Sequence, residues 1–132
     1  MPAINQYEKN YKLLEEILGD LTALPENLKL KSGGFMDLNF DNLGGNRIAL
    51  SHYYRHPSGD MIADPDIEIK IHPELKAIEA LTYQDTYRYD EVYPQPGMVN
   101  PRIKRSLNTF LGQWLRNLKM QGFKNEKQGV LV

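Results

Sequence analysis

The string Asp64-Pro65-Asp66-Ile67-Glu68-Ile69-Lys70 holds the side chains with the clearest capacity for chemistry in this chain. An upstream aspartate followed by a Glu-x-Lys pair on a strand is how one broad group of metal-dependent nucleases arranges its site: two carboxylates hold Mg²⁺ while the lysine steadies the attacking water. Alternation along a strand puts Glu68 and Lys70 on one face. Asp66, Glu68 and Lys70 are therefore the candidate catalytic set of a hydrolase or nuclease. The same spacing has a plainer reading. Ile67, Ile69 and Ile71 take the core face of a half-buried strand, so the opposite face must be polar. Because short motifs often match by accident, the plainer reading is the expectation and the metal-dependent hydrolase is the alternative.

Other candidates fare no better. Asp60, Asp64, Asp66 and Glu68 lack the turn glycine and the distal bidentate glutamate of an EF-hand loop, and a solvated acidic turn is expected. His52 and His56 stand about 13 Å apart on an extended strand, too far to share a metal ion without a bend. His52 shares a face with Leu50 and Tyr54 and is expected as a hydrogen-bonded core or sheet-edge residue. His72, at a strand end, is expected to be exposed. The absence of cysteine removes disulfides, thiolate zinc sites and a cysteine nucleophile. Neither a metal nor a cofactor is expected.

Tyr83, Tyr87, Tyr89 and Tyr93 fall on one parity with Arg88 among them. Aromatics interleaved with cations stack on unpaired bases, although tyrosine also fills sheet faces in ordinary domains. Downstream, Arg102, Lys104 and Arg105 crowd the first turns of a helix, where the dipole disfavours cations, so either the acidic body or an anionic partner must compensate. Residues 101–132 carry seven basic side chains against a single acidic one, a surplus of six, while residues 1–100 carry nine against sixteen, a deficit of seven. This split is read first as internal complementarity and second as a partner-binding face. The candidate binding face is Arg102, Lys104 and Arg105 with Tyr87, Arg88 and Tyr89.

The elements that position these residues follow from periodicity. Asn5 with Glu8 offers a helix-opening cap, and Tyr7, Tyr11, Leu14, Leu18 and Leu21 form a helical stripe that Gly19 and Pro25 end. The period then changes to two. Leu28 to Lys31, Met36 to Phe40, Arg47 to Arg55, Ile67 to Ile71 and Lys76 to Tyr83, the last extending toward Tyr93, read as strands. Asp41 to Asn46 and His56 to Asp60 supply the turns. Asn100 and Pro101 open a final helix whose buried face is Ile103, Leu107, Phe110, Leu111, Trp114, Leu115 and Leu118. Gly122 stops it in a left-handed conformation, with Phe123 folding back. The expected architecture is α+β: an N-terminal helix, an antiparallel meander of about five strands, and a C-terminal amphipathic helix packed on the sheet. Residues 1–123 are expected to form one domain and 124–132 a loose tail.

At 132 residues, 41% apolar and 25% charged, the chain has the make-up of a globular protein able to bury one core. No basic stretch precedes an apolar run at the start, and no apolar run reaches bilayer length, so a cytoplasmic location without a membrane is expected.

The run Ile67-Glu68-Ile69-Lys70-Ile71 followed by Ala77-Ile78-Glu79-Ala80 resembles a strand pair of the YqiB-like family of small proteobacterial proteins. Tyr93-Pro94, then Asn108-x-Phe110-Leu111-x-x-Trp114-Leu115 and Gly122, are similar to that family's closing motifs. The chain also resembles domains of unknown function in phage and conjugative-element proteins. Pro73-Glu74, with His72 one place earlier, departs from the family's histidine-aspartate turn. The resemblance implies the fold and no mechanism. The residues predict an accessory or interaction module without evident catalysis, whose partner is a protein or a nucleic acid, and the resemblance implies a bacterial one.

Overall fold

A computed structural model of the chain describes residues 5–125. Helix α1 (Gln6–Leu18) starts where Asn5 caps it, the Asn5 side chain accepting from the Glu8 N–H at 2.9 Å. Gly19, at φ 87°, ends it and donates its own N–H to the Glu15 carbonyl. The stripe Tyr11, Leu14, Ile17 and Leu18 is buried, as the 3.6-residue period requires.

Six strands follow: β1 (Asn27–Leu30), β2 (Leu38–Gly44), β3 (Arg47–Arg55), β4 (Met61–His72), β5 (Ala77–Gln84) and β6 (Tyr89–Glu91). They pair antiparallel in strict sequence order, the topology expected of strands joined by short turns. The meander has one strand more than expected. The run from Lys76 does not continue to Tyr93 but reverses at Asp85–Arg88, where the Asp85 carboxylate accepts from the N–H groups of Tyr87 and Arg88 at 2.8 and 3.0 Å. That aspartate turn creates β6. Strand β4 also begins earlier than its isoleucine alternation, so Asp64 and Asp66 lie within a strand and not in an acidic loop.

Helix α2 (Pro101–Met120) returns across the sheet and packs on α1 and β5. Leu107, Leu111, Trp114, Leu115 and Leu118 join Ile48, Leu50, Ile67, Ile69, Ile71 and Ile78 in one core cluster. Among the described residues both helices pack on that one face of the sheet. Phe110, expected in the buried stripe, is half-exposed with its ring edge-on to Tyr83. Gly122, at φ 93°, sits past the helix end, and the Phe123 N–H reaches the Leu118 carbonyl at 3.1 Å. Phe123 is buried, and Asn125 caps the last turn of α1, its backbone and side-chain N–H groups donating to the Ile17 and Leu18 carbonyls. The remainder of the expected tail, 126–132, lies outside the described residues.

A polar seam joins the helices to the sheet. The Asn108 side chain accepts from the Ala80 N–H at 2.8 Å and donates to the Lys104 carbonyl, while Asn10 donates to the Asn108 carbonyl at 3.0 Å. Gln6 in turn donates to Asn10. Both asparagines are buried, and each bond satisfies a group whose burial would otherwise be costly.

Candidate functional site

Asp66, Glu68 and Lys70 lie on the solvent face of β4, where alternation puts them, yet their charged ends do not converge. Glu68 is ion-paired with Arg47 of β3 at 2.8 Å. The Lys70 amine donates to the Gly45 carbonyl in the β2–β3 turn at 2.7 Å. Asp66 is half-buried and accepts from the Tyr53 hydroxyl at 3.1 Å. Burial pushes the Asp66 carboxyl above the ordinary carboxylate range, with the nearby Glu68 and Asp41 charges adding to the rise against the Tyr53 bond. Among the described residues no group of three or more His, Asp or Glu side chains is gathered closely enough to hold a metal ion. His52 is buried, its Nδ1 3.0 Å from the Asp37 carbonyl and its ring between Trp114 and Phe123. His72 is half-buried against Glu79.

The expected binding face divides. Tyr87 and Arg88 occupy the β5–β6 turn, held by Asp85. Tyr87 is 93% exposed. Arg88 lies over the Tyr83 ring at 5.0 Å and pairs with Asp90 at 3.2 Å. The Tyr83 hydroxyl donates to Asp85 at 2.6 Å, and burial first, then this bond, pushes its phenol up to about 12. Tyr89 belongs instead to the solvent face of the sheet, where Glu91 and Glu68 raise its phenol further after burial. Arg102 and Arg105 are exposed, and their guanidinium groups have no ion-pair or hydrogen-bond partner among the described residues. Arg102 precedes Phe110 by eight residues, about 12 Å along α2. Phe110 meets Tyr83 near the β5–β6 turn, whereas Lys104 reaches Glu79 through Tyr93 near the β4–β5 corner. The first turns of α2 therefore lie toward the opposite end of β5 from Tyr87.

Lys104 parts company with its neighbours. Its ammonium donates to the Tyr93 hydroxyl at 3.1 Å and lies over the Tyr93 and Tyr7 rings at 5.6 and 5.9 Å. Tyr93 donates onward to Glu79 at 2.6 Å, whose other oxygen is 3.1 Å from His72 Nε2. The bond to Tyr93 holds the Lys104 amine above its usual range, more than offsetting burial.

A family model described as a domain of unknown function, DUF6908, matches residues 9–124. The chain belongs to this family. The match begins within α1 and runs past the α2 stop, so it covers the whole sheet and nearly all of both helices. It says nothing of YqiB-like proteins or of phage and conjugative elements. No curated protein and no solved structure matches the chain. Among the described residues no helix is long and apolar enough to cross a membrane.

Sequence reasoning singled out Lys104 and missed the company it keeps. Tyr7, His72, Glu79 and Tyr93 come from α1, β4, β5 and the segment after β6, and no spacing rule links positions so far apart. The one available signal was the departure from the dipole rule at Lys104, which asks for a compensating partner.

Proposed function

We propose that this family member is a non-catalytic accessory module that docks a protein partner through the β5–β6 turn, with the exposed arginines at the start of α2 as a separate, second contact. Tyr87 carries the reading: it is 93% exposed, on a turn that Asp85 already fixes. An aromatic side chain on a fixed turn loses little entropy on binding, and tyrosine and arginine are the residues that dominate interface energies. Arg88 adds a cation beside it, and Arg102 and Arg105, with Met98 and Val99, 55% and 48% exposed, just ahead of α2, make the second patch. The fit is to an acidic, partly apolar protein surface. A nucleic acid suits it less, because Asp41, Glu68 and Glu91 make the sheet's solvent face anionic. A cytoplasmic role in a bacterial mobile element agrees with the resemblance to phage and conjugative-element domains.

The test is affinity capture from host extract with the intact chain beside a Tyr87→Ala, Arg102→Glu, Arg105→Glu variant of unchanged melting temperature. The reading expects a saturable partner that the variant loses. Equal capture by both proteins sinks it. Titration with single- and double-stranded DNA across a salt series decides the partner class, since steep salt dependence points to phosphates. Mg²⁺- or Mn²⁺-dependent cleavage of plasmid DNA, abolished by Glu68→Ala, would replace the module reading with the hydrolase one.

A further inference from the structure

Between the start of α1, the corner joining β4 to β5 and the first turns of α2 lies a cleft of about 400 Å³. That size is within the range of small-molecule sites. Leu75, Ala77 and Ile78 line its apolar side, and Tyr7, Lys104, Glu79 and Glu8 are among its polar walls. It lies toward the opposite end of β5 from Tyr87 and does not depend on the docking proposed there.

The charges in this cleft are incompletely matched. Lys104 is part-buried, and its one hydrogen-bond partner is a neutral phenol; among the described residues no carboxylate is within ion-pair distance of it. An ammonium has three N–H donors, so two remain for a ligand. The positive end of α1, at Asn5 and Tyr7, faces the same space. These features ask for a carboxylate. Glu79 and Glu8 supply the opposite sign. Each Glu79 oxygen already takes one bond, from Tyr93 and His72, which fixes the carboxylate while leaving lone pairs free. Two wall carboxylates oppose a multiply charged anion such as phosphate, and Lys104 opposes a simple cation.

We infer that the cleft binds a small zwitterion of the α-amino-acid kind, its carboxylate on Lys104, its ammonium between Glu79 and Glu8, and an apolar side chain against Leu75 and Ala77. Tyr7 and Tyr93, whose rings flank the Lys104 ammonium, keep it in place for the ligand's carboxylate. The Tyr93 hydroxyl links the two charged ends, so Lys104 and Glu79 are held apart by one phenol and neither neutralises the other directly. That separation is what a zwitterion spans.

The experiment is a ¹⁵N-amide NMR titration of the full chain with L-leucine, L-methionine and L-phenylalanine in turn. The controls are 4-methylpentanoate and 3-methylbutylamine, the single-charge halves of leucine, and inorganic phosphate. At least one amino acid is expected to shift the Tyr7, Ile78 and Lys104 amides saturably, and at least about tenfold more tightly than either half-ligand, as expected when a buried charge is left unpaired. Lys104→Met and Glu79→Gln, each confirmed folded by its melting curve, are expected to weaken that binding by about tenfold or more. The inference is overturned if none of the three amino acids gives a saturable shift at these amides, if 4-methylpentanoate or phosphate binds as tightly as the amino acid, or if Lys104→Met binds like the parent.

Discussion

Trp114, the chain's single tryptophan, shows how one residue's burial fixes its role. It is 8% exposed, with the His52 ring edge-on at 5.7 Å, so its indole is core and not a docking surface. Trp114→Ala is expected to lower unfolding free energy by about 3–5 kcal/mol, read from denaturant melts; an unchanged midpoint would mean that α2 docks differently. Tyr83 makes a pH prediction. Its folded phenol is pushed up to about 12 from an ordinary 10.0, so above about pH 10 the unfolded chain loses this proton while the folded one keeps it. Stability therefore falls as pH climbs from about 10 toward about 12. Tyr83→Phe removes that part of the fall, so the stability gap between parent and variant is expected to narrow from about pH 9 to about pH 11.5. A constant gap would show that the phenol is not perturbed.

At the scale of elements, the close crossing of α1 and α2 depends on Gly112. A Cβ there would stand 2.5 Å from Gln6 Nε2 and 2.6 Å from Asn10 Oδ1. Gln6 has room to swing away, but Asn10 is fully buried and tied to the Asn108 carbonyl. Alanine recovers about 1 kcal/mol of helix propensity, against about 1–3 kcal/mol for overpacking a seam that cannot relax. Gly112→Ala is thus expected to destabilise by roughly 1 kcal/mol or more, with thermal unfolding as the measure; a gain in melting temperature would show that the helices simply move apart. Gly112 was readable from the sequence only as a weak spot in a good helix. Its reason is the neighbouring helix, which no local pattern names.

For the whole molecule, the division of charge between the last 32 residues and the rest resolves into two unlike parts. Lys119 pairs with Glu16 of α1 at 2.7 Å, and Lys104 is drawn into the cleft beside Glu79, so part of the split is internal. Arg102 and Arg105 stay in solvent. The charge reversal Arg102→Glu, Arg105→Glu is expected to leave thermal stability within about 0.5 kcal/mol, as for surface sites without partners, or to raise it slightly by favouring the helix dipole. A large loss of stability would show that the arginines belong to the folded architecture. Loss of partner capture with stability intact would mark them as a docking surface.

Chain order, the two amphipathic helices with their caps and stops, and the helix–meander–helix class were all legible from the residues, because caps and periodicity act over a few neighbours. The turn expected over Asp41 to Asn46, by contrast, shrinks to Gly45 and Asn46 as β2 runs on to Gly44. Asn5, Asn100 and Gly122 do what their types require wherever the chain goes next. The sixth strand was less legible, because it hangs on one aspartate accepting two N–H bonds at a turn. Only tertiary structure decided which cation at the start of α2 is answered and which is not. Lys104 meets Tyr93 and Tyr7 because α1, α2 and the segment after β6 converge there, whereas Arg102 and Arg105, two residues earlier and one later, point away around the helix. The same holds for Asp66, Glu68 and Lys70: alternation set their face, but strand register and turns set their partners, Tyr53, Arg47 and the Gly45 carbonyl. Partners distant in sequence are chosen by packing, and that choice is made only when the core closes.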